Sequence, residues 1–89
     1  MVDVQKAWDN VIKYEGEVFK TVSGREFTYV MVDENNSFVT DRGKIALTKR
    51  NFEKAYKMMP AMGPSVLNKN GIMGHAYIFA LLNDLRIVG

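Results

Sequence analysis

Glu26-Phe27-Thr28-Tyr29-Val30-Met31-Val32-Asp33-Glu34-Asn35-Asn36-Ser37-Phe38-Val39-Thr40 decides the fold class. Its first seven residues alternate: Phe27, Tyr29 and Met31 share one face, and Thr28, Val30 and Val32 share the other. Asp33 to Ser37 form a polar turn, and Phe38-Val39-Thr40 resumes as a short strand. Strands joined by so short a turn pair antiparallel.

Upstream, Val18-Phe19-Lys20-Thr21-Val22 is β-branched and aromatic, and Ser23-Gly24 marks a turn into the strand at Glu26. Before it, Val4, Ala7, Trp8, Val11 and Ile12 recur at helical spacing. They predict a helix capped by Asp3, running to about Tyr14 and stopped near Gly16. Downstream, Gly43 interrupts. Lys44-Ile45-Ala46-Leu47 reads as either a fourth short strand or an extended lead into a helix.

Thr48 is a good N-cap for a helix from about Lys49 to Met59, with Phe52, Ala55, Tyr56 and Met59 as its buried stripe. Pro60 ends it. Residues 60 to 73 read as a loop with a short turn at Ser65-Val66-Leu67. A last helix, His75 to about Asp84, is apolar nearly all round, the mark of a buried centre. The expected fold is α+β in one domain, residues 1–89. It is a small antiparallel three- or four-stranded meander with an N-terminal helix and two C-terminal helices.

Cysteine is absent, which excludes disulfides, thiolate nucleophiles and cysteine zinc sites. The longest apolar run, Ala76 to Leu82, has seven residues, against about 20 for a membrane span. The first residues lack the basic head and apolar run of a signal peptide. A soluble cytoplasmic protein with no membrane partner is expected.

Charge is distributed unevenly. Arg42, Lys44, Lys49, Arg50, Lys54 and Lys57 face a single acid, Glu53, so the 42–57 window is net +5 and the rest of the chain net −3. Such a sector is the footprint of an anionic partner, with nucleic acid the commonest. At 100° per residue, Arg50, Lys54 and Lys57 fall within about 60° of one another, opposite the buried stripe. An amphipathic helix needs a polar outer face, and that alone accounts for lysines there. Lys49 and Arg50 lie in the first turn, where the macrodipole disfavours cations by about 0.3–1 kcal/mol, a cost that a docked anion would offset and that is also small and salt-screened enough to be tolerated. Free N–H groups, the Thr48 hydroxyl and two cations together would suit a phosphate. The six cations are therefore the candidate nucleic-acid contacts. Asn51 beside them could read a base edge, and Phe19, Phe27 or Tyr29 could stack on bases if they were not in the core.

No catalytic constellation, cofactor fingerprint or metal-ligand set can be assembled, so a non-enzymatic domain is expected. His75 is a lone histidine at a helix start, and Glu15, Glu17, Asp33 and Glu34 read as solvated acids. Met58, Met59, Met62 and Met73 bracket the 60–73 loop. Methionines fill gaps under loops, and exposed they make adaptable protein contacts. The alternative function is thus a protein-interaction or homodimerisation module using the Met-rich 58–73 region or an open sheet edge.

The stretch from Gly16 to Ile87 resembles a small bacterial domain of no established activity. Gly16-x-x-Phe19-x-Thr21, Gly24-x-x-Phe27-x-Tyr29 and Leu47-Thr48-x-x-x-Phe52-x-x-Ala55 carry the resemblance. So do Gly63-Pro64, Gly74-x-x-Tyr77 and Leu81-Leu82-Asn83-Asp84-x-Arg86-Ile87. It implies a role in DNA processing or defence and transfers no catalytic residue. The chain departs from the pattern at His75-Ala76, where proline and serine would follow Gly74.

Overall fold

The computed structural model describes residues 1–89, all of the chain. Helix α1, Val4–Lys13, starts where the Asp3 carboxylate accepts the Lys6 N–H at 2.8 Å. Strands β1 (Phe19–Lys20) and β2 (Glu26–Phe27) form one antiparallel pair. Strands β3 (Tyr29–Val32), β4 (Ser37–Thr40) and β5 (Leu47–Thr48) form a second antiparallel sheet with β4 in the middle. Helices α2 (Lys49–Tyr56), α3 (Pro64–Lys69), α4 (His75–Leu82) and α5 (Leu85–Val88) complete the chain. The fold is α+β, as expected, and no helix is long and apolar enough to cross a membrane.

Several details differ from the sequence reading. The strand expected over 26–32 is broken at Thr28. There the Asp41 carboxylate accepts the Thr28 N–H at 2.9 Å, and the Asp41 N–H donates to the Thr28 carbonyl at 3.0 Å. A side chain stands in for one rung of the ladder, so β2 pairs with β1 while β3 pairs with β4. The face pattern survives this: Phe27 and Tyr29 are both buried, and Val30 is exposed. Lys44–Ala46 is an irregular lead, with only Leu47 and Thr48 pairing to β4.

Helix α2 stops at Tyr56, three residues short of the expected end, so Met59 packs against the core from a turn. The 60–73 loop contains the six-residue helix α3, begun by Pro64, where a fixed φ suits the first helical position. The last helix breaks at Asn83. Asp84 then caps α5 by accepting the Arg86 N–H at 2.8 Å.

The core joins both sheets to the helices. Trp8, Phe38 and Tyr29 form a chain of rings, with centroids 6.1 and 5.2 Å apart, and Phe52 meets Trp8 at 5.2 Å. Five consecutive residues of α4, Ile78–Leu82, are buried, which is why that helix has no polar face. The buried Tyr29 hydroxyl donates to the Val11 carbonyl at 2.6 Å. That carbonyl is left open because the Glu15 N–H turns to Ile12 instead. Burial pushes the Tyr29 phenol pKa well above its ordinary value. No buried side-chain nitrogen or oxygen lacks a hydrogen-bond partner.

The outer edge of β3 is not open. The Glu15 carboxylate accepts the Met31 N–H at 2.6 Å, and the Gly16 N–H donates to the Tyr29 carbonyl at 3.0 Å. The turn after α1 thus occupies positions that a second strand would need.

The β3–β4 turn is strained. Asp33, Glu34 and Asn35 have φ of 52°, 54° and 70°. Aspartate and asparagine tolerate the left-handed region, whereas glutamate does not. The turn is held from outside: the Trp8 indole N–H donates to the Asn35 carbonyl at 3.0 Å and the Lys49 N–H to the Asn36 carbonyl at 2.8 Å. Glu34→Gly should therefore stabilise the domain by about 0.5–1 kcal/mol, raising Tm by a few degrees. A lower Tm would contradict this backbone.

Candidate nucleic-acid interface

Thr48 positions the basic helix. Its side-chain oxygen accepts the Asn51 N–H at 3.1 Å, as an N-cap should. The Lys49 N–H is used by Asn36, which leaves the Arg50 N–H as the free donor of the first turn. Asp33 and Glu53 border the same hollow of about 380 Å³ as Lys49 and Arg50. The phosphate seat expected at the head of this helix is narrower than the sequence suggests.

The six cations do not form one patch. Arg50, Lys54 and Lys57 are exposed on the outer face of α2, opposite the buried Phe52 and Ala55. Lys49 is turned toward α1, where its Nζ donates to Gln5 Oε1 at 2.9 Å. Arg42 and Lys44 lie on the loop before β5. Arg42 Nε donates to the Glu26 carbonyl at 2.9 Å, which orients the guanidinium and leaves its Nη groups. Both line a hollow of about 240 Å³ with Ile45, Leu47, Met73 and Tyr77, and no acid borders it.

None of the six is in an ion pair. The one salt bridge in the molecule lies elsewhere, between Arg86 and Asp84 at 2.8 Å. Arg86 there also donates to the Val18 carbonyl at 3.0 Å and sits 3.8 Å over the Phe19 ring. Its hydrogen bonds hold the Asp84 carboxyl below the usual carboxylate range. That guanidinium borders the largest hollow, about 410 Å³, together with Glu26 and Asp84. With most of its donors engaged, it serves structure.

Asn51 Nδ2 donates to the Met73 carbonyl at 2.7 Å, so this side chain ties the Gly71–Gly74 turn to α2. Phe19, Phe27 and Tyr29 are buried and cannot stack on a base. His75 is half-buried at the start of α4, and no three acids or histidines converge. Of the four methionines, Met58 and Met59 pack on the core, while Met62 is fully exposed and Met73 about half exposed.

Sequence reading missed Ile45, Met73 and Tyr77 as a group. The available signal was an isoleucine next to Lys44 in a segment too irregular to bury it. Comparisons with protein families, with curated proteins and with solved structures return no match.

Proposed function

We propose that this chain is a nucleic-acid-binding domain without chemistry of its own, holding phosphates through Arg42, Lys44, Arg50, Lys54 and Lys57. The observation that supports this reading is the exposed row of Arg50, Lys54 and Lys57 along α2, with Arg42 and Lys44 on the loop before β5 and none of the five in an ion pair. Unpaired surface cations keep their full charge for an external anion and release counterions when it docks. Lys49 contributes less, because its ammonium already bridges to Gln5. The bacterial DNA-processing resemblance points the same way.

The test is binding of a fluorescent 20-nucleotide ligand measured by anisotropy. Five phosphate contacts give a slope of log K against log salt of about −3.5 to −4.5, roughly a 100- to 500-fold loss between 50 and 200 mM salt. The double variant R50E/K54E should bind at least tenfold more weakly at 50 mM. An acid at position 50 complements the macrodipole and one at position 54, in the last turn, opposes it, so Tm should change by no more than a few degrees. Absence of binding at 50 mM, or affinity indifferent to salt and to this reversal, would sink the proposal.

One observation favours a second reading: Met62 stands fully in solvent between α2 and α3. A protein partner or a second copy of the chain could cover it. Sedimentation at several concentrations distinguishes a homodimer from a monomeric nucleic-acid binder.

A further inference from the structure

We infer that the hollow between the Arg42–Leu47 segment and the Met73–Tyr77 turn seats an unpaired nucleobase, so that the ligand is a single-stranded polynucleotide. This rests on the nucleic-acid reading above and names its ligand class. Ile45 is 61% exposed and Met73 54% exposed, and both line this hollow. Two large apolar side chains are thus held in solvent beside two cations. The hollow of about 240 Å³ has room for one planar ring.

Charge selects the occupant. Three other hollows include acids, Asp33 and Glu53, Glu26 and Asp84, or Glu26 and Asp41, and a fourth, beside Thr48 and Asn51, has neither acid nor cation. This one has Arg42 and Lys44 at its rim and no carboxylate. Its field suits a group that is apolar and planar in the middle and anionic at its ends. A nucleotide has that form: the base takes the Ile45, Met73 and Tyr77 walls, and the flanking phosphates take the two cations. A duplex keeps its base faces stacked internally and offers only edges, so it cannot fill the hollow without unstacking.

The seat is preformed. Gly74, at φ 65°, brings the turn against Leu47, and a Cβ there would lie 2.5 Å from Leu47 Cδ1. Asn51 fixes the Met73 carbonyl, and the Tyr77 ring packs edge-on against buried Phe27 at 5.0 Å. Such rigidity lowers the ordering cost of binding. A second hollow of about 300 Å³ shares Leu47 and Met73 and reaches Thr48 and Asn51. Lys54 lies about 60° around α2 from Asn51, so the two hollows lead a strand toward the outer cations.

Single strands and duplexes of one length should be compared at one salt concentration, with oligo-dT and oligo-U as the DNA and RNA arms. We expect at least one single strand to bind roughly tenfold or more tightly than duplex, from the stacking contribution of a seated base. The variant I45S/M73S, altered only at exposed side chains, should bring the single-strand to duplex ratio near one. Y77L should do the same if it folds. A 2-aminopurine placed in the strand should change emission on binding to the native protein and not to I45S/M73S. Equal salt-dependent binding of single strands and duplexes, or an unchanged ratio in I45S/M73S, overturns the base seat and leaves the phosphate reading standing. Failure of every ligand to bind at 50 mM overturns both.

Discussion

Phe38→Ala is expected to remove a large part of the stability of this domain. Phe38 lies fully buried on β4, the middle strand, opposite Met31 on one side and Leu47 on the other. Its ring touches Trp8 of α1 and Tyr29 of β3, so a single truncation loosens both the sheet and its contact with the N-terminal helix. Removing a buried phenylalanine costs about 3–5 kcal/mol through lost transfer energy and the cavity left behind. A chain of this length has a total stability of about 4–13 kcal/mol. Urea or thermal denaturation should show Tm falling by roughly 15–30 °C. A shift below about 5 °C would mean that the core is not organised on β4.

The second large effect is expected at Gly74, which is both the N-cap of α4 and the rear wall of the proposed base seat. Gly74→Ala incurs two costs. One is the left-handed backbone at φ 65°, about 1–2 kcal/mol for an L-residue. The other is steric: the new Cβ would meet Leu47 Cδ1 at 2.5 Å and Cδ2 at 2.7 Å, and Leu47 is itself buried. Overpacking of this kind costs about 1–3 kcal/mol. Gly71 separates the two contributions. Its φ is 74°, but nothing lies within 4 Å of a Cβ placed there. Gly71→Ala should therefore lose only the backbone part, about 1–2 kcal/mol. Equal denaturation midpoints for the two variants would show that Gly74 makes no close approach to Leu47.

These positions also mark how far local sequence reaches. The alternation from Phe27 to Met31 faced the correct residues inward because strand side chains repeat every two residues whatever their partner. The caps at Asp3 and Thr48 were legible because each closes on an N–H three residues away. The buried character of Ile78–Leu82 followed from composition alone. In each case the deciding interaction lies within one turn or one pleat.

The break at Thr28 was not legible, because it depends on the Asp41 carboxylate, 13 residues distant. The closed edge of β3 depends on Glu15, and the direction of Lys49 on Gln5, 44 residues away. Basic charge in the 42–57 window could be counted from the sequence. Whether any carboxylate neutralises it could not, since an ion pair requires atoms within a few ångströms and the acids are scattered along the chain.

The chain's own order of residues thus determined an α+β domain, its helix caps, its core faces and the sign of its dominant charge. Tertiary packing alone decided where the cations point, with Lys49 toward Gln5 and Arg42 toward the Glu26 carbonyl, and that Ile45, Met73 and Tyr77 meet beside Arg42 and Lys44. The physical reason is range: propensity and periodicity act over a few residues, whereas a binding surface is assembled by segments that only the folded core brings together.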